Sequence, residues 1–189
     1  MRIQLEESRK QELQELAQRQ RFRPSDELAT YKIIKSLRDG VDFSISSLTS
    51  AEKELLWVVP GSVLVVASLF GIYEAAKKLI ERGGHVRGIC DISHPIIEVA
   101  QECLDIGVDA RHLNQYRGIT FGVYDRKYCV SSINVDFRRI SLDERLSVLY
   151  TDDPTYASYL VSTFEILWEQ AVPAAQRIEE LLKEGPLDI

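Results

Sequence analysis

Apolar residues recur along this chain with two different periods, and the alternation between them predicts a series of strands and helices. After residue 61, short runs rich in Val, Ile and Leu are followed by segments whose apolar residues stand three and four positions apart. The short runs predict strands at 63–69, 85–91, 109–113, 119–124, 128–133 and 146–151. The amphipathic segments predict helices at 72–82, 95–103, 154–171 and 173–184.

The order of these elements indicates the fold class. The first two strand–helix units favour parallel pairing with right-handed crossovers. The polar turn Asp125-Arg126-Lys127 lies between two apolar runs, and this arrangement is typical of an antiparallel hairpin. We therefore predict an α/β fold with a mixed, mainly parallel sheet flanked by helices.

The front of the chain has a different pattern. Polar residues dominate segments 3–20 and 26–38, which predict two helices with narrow apolar stripes. Residues 44–49 predict a polar connector, and we expect a short charged helix between that connector and the first strand. The pattern divides the chain into a helical extension, residues 1–43, and an α/β domain, residues 44–189.

One apolar run approaches the length of a membrane span. From Leu55 to Tyr73 the chain has 19 consecutive uncharged residues, and about 20 suffice to cross a bilayer. However, Pro60-Gly61 interrupts the run near its start, and an amphipathic segment follows it directly. A buried strand, a turn and an amphipathic helix explain the segment better than a membrane span does.

Composition limits the compartment and the partners that we expect. A net charge of -6 and a pI near 5.2 argue against general affinity for nucleic acid or for anionic membranes. Cys90 and Cys129 stand among apolar neighbours, as buried cysteines of a reducing cytosol do. With a charged N-terminal segment and no signal peptide, the chain is expected to be cytoplasmic. No metal-ligand spacing or phosphate-binding glycine pattern is present in the sequence, so we expect no cofactor.

A dense group of polar residues predicts a binding site for an anion or another small molecule. Segment 111–118 places two arginines, a histidine and a tyrosine at a strand end, and the hairpin turn adds further charges. Arg suits carboxylate and phosphate geometrically, and ligands of α/β sheets gather where strands lead into helices. A solvated loop beside a hairpin is the alternative interpretation. The predicted ligand-binding residues are Asp91, His94, Arg111, His112, Tyr116, Arg117, Asp125 and Lys127.

Residues 118–134 resemble the hairpin of the phospholipase D superfamily. The family pattern is His-x-Lys-x-x-x-x-Asp, followed by a short turn and a second apolar strand. Aligning Asp125 with the Asp of the pattern places Gly118 at the catalytic His and Thr120 at the Lys. The resemblance implies a phospholipase D-like fold without the catalytic His and Lys. Since the family's enzymes need two complete motifs, the resemblance also implies that this chain is not an enzyme.

Further motifs narrow the resemblance. Arg111-His112-Leu113, Phe121-Gly122 and the stretch 167–178, which contains Trp-Glu-Gln-Ala-Val-Pro-Ala-Ala-Gln-Arg-Ile, are similar to the phospholipase D-like sensory domain of archaeal histidine kinases and related regulators. This similarity covers residues from about 45 to 185. It implies a regulatory domain in signal transduction whose partner or parent chain is a histidine kinase or response regulator. A ligand would then shift the population between two packings or dimer geometries.

Two other classes of function stay open at this point. Residues 1–40 carry nine Lys and Arg against seven Asp and Glu, so the two predicted front helices are candidates for DNA binding by a transcriptional regulator. The acidic remainder of the chain opposes that interpretation. A scaffold or oligomerisation module that uses the polar front helix is the third possibility, and it predicts a homodimer without any ligand.

Overall fold

The computed structural model describes residues 29–114, 120–132 and 145–185. These residues form eight strands: β1 (Tyr31–Ser36), β2 (Glu54–Val58), β3 (His85–Cys90), β4 (Asp109–His112), β5 (Thr120–Tyr124), β6 (Tyr128–Ser132), β7 (Arg145–Thr151) and β8 (Val172–Pro173). Their helices are α1 (Leu37–Ser50), α2 (Ser62–Leu69), α3 (Ile72–Glu81), α4 (Ile97–Asp105), α5 (Pro154–Gln170) and α6 (Ala174–Glu184), with a 3₁₀ turn at His94–Ile96 before α4.

All eight strands belong to one sheet with the order β1-β7-β6-β5-β2-β3-β4-β8. Strands β2, β3 and β4 are mutually parallel, and the other neighbours pair antiparallel. The predicted mixed α/β class is confirmed. Parallel pairing is limited to β2, β3 and β4, however, so the expectation of a mainly parallel sheet is wrong. Strands β5, β6, β7 and β1 extend the sheet from β2 by antiparallel steps, which need no crossover helix.

Alternating residues of the strands pack against helices on both faces of the sheet. Leu56 and Val58 of β2 face α5, whose Leu160 and Phe164 are fully or almost fully buried. Leu55 and the alternate residues after it, Trp57 and Val59, face the layer formed by α1, α2, α3, α4 and α6. Burial on both faces explains why the central strands are nearly continuous apolar runs. Within the described parts of the chain, no helix is long and apolar enough to cross a membrane.

The predicted strand at 63–69 is wrong, because this segment forms helix α2. The first parallel strand is β2, in the place where we expected a short charged helix. Segment 62–69 is apolar at almost every position, so its pattern has no period that distinguishes a helix from a buried strand. Among its residues Leu64 and Ala67, three positions apart, are buried against the core, which is helical spacing.

The predicted helix at 26–38 is also wrong over residues 31–36. Residues 31–36 form β1, which pairs with β7 at the edge of the sheet. The expected connector at 44–49 lies inside α1, where Ser44 and Thr49 donate their hydroxyl groups to carbonyls four residues earlier. The predicted domain boundary between residues 43 and 44 therefore falls within α1. The helix predicted at 3–20 lies outside the described residues.

The other predicted elements are confirmed to within a few residues. Helix α5 begins as expected at Pro154, where the Asp153 carboxylate accepts hydrogen bonds from the N–H groups of Thr155 and Tyr156 at 2.8 and 3.0 Å. A carboxylate in this position satisfies amide groups that have no partner inside the helix. Cys90 and Cys129 are buried, as predicted.

Candidate functional site

Three of the predicted site residues lie together at the edge of the sheet where the parallel strands end, which we call the carboxyl edge. His112, at the end of β4, is only 4% exposed. Its Nδ1 accepts the N–H of Ile92 at 2.8 Å, and its Nε2 lies 2.9 Å from Oδ1 of Asn114. Since Nδ1 is an acceptor, the neutral ring carries its proton on Nε2 and donates it to Asn114. Burial lowers the pKa of His112 below its ordinary value because it disfavours the charged ring.

Asp91 and His94 connect the carboxyl edge to neighbouring helices. Oδ1 of Asp91 accepts the N–H of Gly61 at 2.7 Å, just before α2 begins. Nε2 of His94 lies 3.2 Å from the carbonyl oxygen of Leu181 in α6. A carbonyl oxygen only accepts, so this contact requires a protonated Nε2. Both side chains therefore hold elements together in the structure.

Arg111 precedes His112 in β4 and points to the opposite face of the sheet. Its Nη1 donates to the carbonyl oxygen of Trp168 at 2.9 Å, and its guanidinium lies 4.3 Å from the centroid of the indole ring. Arg87 lies on the same indole, at 5.4 Å, and forms a salt bridge with Glu165 at 2.7 Å. Arg111 consequently belongs to the packing of α5 and is separated from His112 by the sheet.

Asp125 and Lys127 lie at the other end of the strands, away from the carboxyl edge. The Asp125 carboxylate accepts the backbone N–H groups of Glu52, Lys53 and Glu54 at 2.9, 2.8 and 2.9 Å. Burial would raise the pKa of Asp125, but these three donors and the charge of Lys127 outweigh it, and the pKa is lowered. Asp125 thus holds the hairpin turn against the start of β2.

The remaining two predicted site residues, Tyr116 and Arg117, lie outside the described residues. The predicted pocket therefore divides into three parts: Asp91, His94 and His112 share the carboxyl edge, Arg111 packs under α5, and Asp125 and Lys127 occupy the hairpin turn. The ligand-binding role of these residues stays a prediction.

A cavity that the sequence did not reveal lies on the other side of the sheet from α5. Its volume is about 180 Å³. The floor is formed by β2, β5 and β6, and the walls by α1, α2 and α3. Both α1 and α2 pack on α3, and the space lies between these helices and the strands. We call this space the sheet cavity.

Two glycines beside Trp57 shape the floor of the sheet cavity. In the sheet, Trp57 stands between Gly88 of β3 and Gly122 of β5. The indole lies over Gly88 so closely that a Cβ atom there would overlap the ring. Over Gly122 there is room for a Cβ atom, since its nearest neighbours would be Val130 Cγ2 at 3.6 Å and Leu55 Cδ1 at 3.7 Å, which is ordinary van der Waals distance. The indole occupies the space above Gly88 and leaves room for a methyl group above Gly122.

The sheet cavity has a polar end at the carboxyl edge. Thr120 and Ser132 are direct cross-strand neighbours, and Phe121 next to them pairs with Val58, the last residue of β2. Ser132 is 4% exposed, and its Oγ has no hydrogen-bond partner among the described residues. Every other described residue of the lining is uncharged as well. The cavity is therefore a mostly apolar space, with the hydroxyl groups of Thr120 and Ser132 at one end.

Comparison with solved structures identifies the fold. Nuc from Salmonella typhimurium, a phospholipase D family member, matches with a TM-score of 0.61 and 11% identity, over 77% of this chain and 98% of its own. NucT from Helicobacter pylori matches with a TM-score of 0.63 and 16% identity, over 77% of this chain and 99% of its own. The chain has a phospholipase D-like fold.

A third structural match extends over more of the chain. TrmBL2, an archaeal chromatin protein whose structure shows a mode of DNA binding, matches with a TM-score of 0.60 and 15% identity. The match covers 91% of this chain but 64% of TrmBL2. No protein-family profile matches the sequence. No curated protein matches it at a significant level either.

The phospholipase D-like fold gives the cavity residues a context. When Asp125 is aligned with the Asp of the family's hairpin pattern, the position of the Lys is taken by Thr120, at the polar end of the sheet cavity. The position of the His, Gly118, lies outside the described residues. The sequence pattern places Thr120 at the Lys position, but it does not reveal the space beside it. The only signal of that space was a glycine, Gly122, in the middle of an apolar strand, which often marks a close approach or a missing side chain.

Proposed function

We propose that this chain is a non-catalytic regulatory domain of a signal-transduction system and that it binds a small molecule in the sheet cavity. One observation carries the proposal. At Thr120, where the phospholipase D pattern has a phosphate-binding Lys, the chain has a hydroxyl group at the end of an apolar cavity. An apolar cavity with a few convergent polar groups is the usual form of a small-molecule site.

The chemistry of the carboxyl edge supports a role other than hydrolysis. Covalent phosphodiesterase catalysis needs a free His nitrogen as nucleophile and a cation to hold the phosphate. His112 uses both ring nitrogens in hydrogen bonds to Ile92 and Asn114. It also precedes Asp125 by 13 residues, whereas the pattern requires seven.

The contacts around the cavity suggest how binding would be transmitted. Helix α2 forms a wall of the cavity, and Asp91 holds the start of α2 at Gly61. Three residues after Asp91, His94 binds α6 at Leu181. A ligand that favours one position of α2 would thereby bias the position of α6. We propose that α6 faces a histidine kinase or response regulator, as a separate partner or within a longer parent chain, and that the domain acts as a homodimer.

Two measurements on the full chain test this proposal. In a thermal-shift screen of small molecules, the compounds that raise Tm should lose most of that effect in Gly122→Ala, which adds a methyl group to the cavity floor, and keep it in Thr163→Val on the outer side of α5. With bis(p-nitrophenyl) phosphate, hydrolysis should not exceed background. Hydrolysis that co-purifies with the chain would overturn the non-catalytic role, and hits that are indifferent to Gly122→Ala would overturn the cavity as the site.

The similarity to TrmBL2 favours a second candidate function, a DNA-binding regulator. The match with TrmBL2 covers 91% of this chain, compared with 77% for Nuc and for NucT. Segment 19–24 contains Arg19, Arg21 and Arg23. The net charge of -6 opposes general DNA binding. Filter binding at increasing salt separates the two functions, since DNA binding through these arginines would fall steeply with salt and with their replacement by Ala. If the DNA retained on the filter at low salt does not exceed background, this candidate is excluded.

A further inference from the structure

We infer that the ligand of the sheet cavity is an uncharged, mostly apolar molecule about the size of one aromatic ring, with a single hydroxyl-type polar group that binds Thr120 and Ser132. The inference rests on the proposed function, because it names the ligand class of the same site. Three properties of the cavity carry it: its charge, its size and the position of its polar groups.

The lining excludes a charged ligand. No described residue of the lining is charged, so an anion or a cation would enter without a counter-ion. Moving an unpaired charge from water into such an environment is very unfavourable. Asp91 at the carboxyl edge supplies no free charge to the cavity either, because its carboxylate already accepts the N–H of Gly61. The cavity therefore selects neutral molecules.

The volume limits the size of the ligand. The cavity has about 180 Å³, and an apolar protein cavity of about 150 Å³ stays dry and binds benzene. A six-membered ring with one or two further heavy atoms fills such a space. The flat indole of Trp57 at the side of the open space over Gly122 suits a planar ring.

The polar end predicts one hydrogen-bonding group on the ligand. Ser132 is buried, and its Oγ has no partner among the described residues. A buried hydroxyl without a partner costs free energy, which a ligand regains when it supplies one. Thr120 stands directly opposite on the neighbouring strand. One ligand hydroxyl can donate to one of these oxygens and accept from the other.

A set of four probes with the same ring tests the ligand class. Benzyl alcohol, toluene, benzoate and benzylamine are titrated against the full chain by calorimetry at pH 7. Benzyl alcohol should bind about two- to tenfold more tightly than toluene, as one net hydrogen bond predicts. The two charged probes should not bind measurably.

Variants identify where the probes bind. Thr120→Val keeps the shape of the side chain but removes the hydroxyl, and Ser132→Ala removes the second one. Each should reduce the preference for benzyl alcohol over toluene while toluene still binds. Gly122→Ala should weaken the binding of both probes. Thr163→Val, the matched control on α5, should change the affinity of neither.

The outcomes separate this inference from the proposed function. Suppose that a screen yields compounds whose binding is sensitive to Gly122→Ala. If benzyl alcohol and toluene then do not bind, or if the charged probes benzoate or benzylamine do bind, the ligand class is wrong and the cavity remains the site. Equal affinity for toluene and benzyl alcohol would overturn the role of Thr120 and Ser132. If neither the screen nor the probes give binding that depends on Gly122, the proposed function fails with the inference.

Discussion

The two glycines beside Trp57 should respond in opposite ways to the same substitution. Gly122→Ala places a methyl group in the sheet cavity, whereas Gly88→Ala places one where the indole already lies. Both residues are buried, and they lie in the two strands that flank β2, where each pairs with Trp57. Neither has a positive φ, so backbone strain does not separate them. The pair therefore isolates the effect of the space above each glycine.

The expected magnitudes follow from the contacts. At Gly122 the new Cβ would meet Val130, Leu55 and Tyr124 at 3.6, 3.7 and 3.7 Å, which is ordinary van der Waals contact. Burying one methyl group contributes about 0.8 kcal/mol, and the lower entropy of the unfolded chain contributes about 0.4–1 kcal/mol. Gly122→Ala should therefore stabilise the fold by about 1–2 kcal/mol. Gly88→Ala forces the ring to move, and such overpacking costs about 1–3 kcal/mol.

Urea unfolding followed by far-ultraviolet circular dichroism measures both effects. The urea midpoint should rise for Gly122→Ala and fall for Gly88→Ala, with unchanged m values for both. A Gly122→Ala variant that is less stable than the wild type would mean that the cavity does not exist in solution. Equal stabilities of the two variants would refute the asymmetric position of the indole.

Three further substitutions test the contacts of individual side chains. His112→Gln should flatten the pH dependence of Tm: since the folded pKa of His112 is lowered, its stabilisation is full above the unfolded value near 6.5 and is lost as pH falls toward the folded value. Asp125→Asn should reduce the free energy of unfolding at pH 7 by about 1–3 kcal/mol, measured in urea, because a charged acceptor of three N–H groups is replaced by a neutral amide. The wild-type contribution of Asp125 should disappear in acid, since its lowered pKa stabilises the fold above the unfolded value and is lost as pH falls through the folded one. Arg111→Lys should lower the urea midpoint although it keeps the charge, because Lys cannot reproduce the guanidinium that stacks on Trp168 and donates to its carbonyl.

Each of these substitutions has an outcome that contradicts its structural basis. A His112→Gln variant with the wild-type pH profile would place the titrating group elsewhere. An Asp125→Asn variant of wild-type stability would mean that the hairpin turn is not held by the carboxylate. For Arg111, a Lys variant as stable as the wild type would show that only the charge matters.

The sequence predicted most elements of the fold, and its failures have physical reasons. The spacing of apolar residues and the capping residues of a helix are local features of the sequence. Helix α5 and the hairpin around Asp125 were therefore predicted at the right places. Helix α2 has no apolar period, and its helical state follows from what surrounds it. Strand β1 depends on pairing with β7, more than a hundred residues later in the chain. Such distant partners are invisible to a local pattern.

The candidate site was less predictable than the fold. The hairpin pattern aligns Asp125 with the family's Asp, but the hydrogen bonds of Asp125 depend on three N–H groups more than seventy residues away. His112 and Arg111 are adjacent in the sequence and were expected in one pocket, yet consecutive strand residues face opposite sides of a sheet. Part of the sheet cavity exists because Gly122 has no side chain. A sequence pattern does not show whether a neighbouring side chain fills such a space.

The hydrogen bonds of Asp125 also decide which alignment of β5 against β2 is possible. Its carboxylate needs the three consecutive N–H groups of residues 52–54, and with them Trp57 pairs with Gly122. A shift by one residue would bring Val123 opposite Trp57 and turn Gly122 toward α5, because side chains alternate along a strand. The empty space above Gly122 is thus positioned by a carboxylate at the far end of the strand pair, in a turn that never touches the cavity.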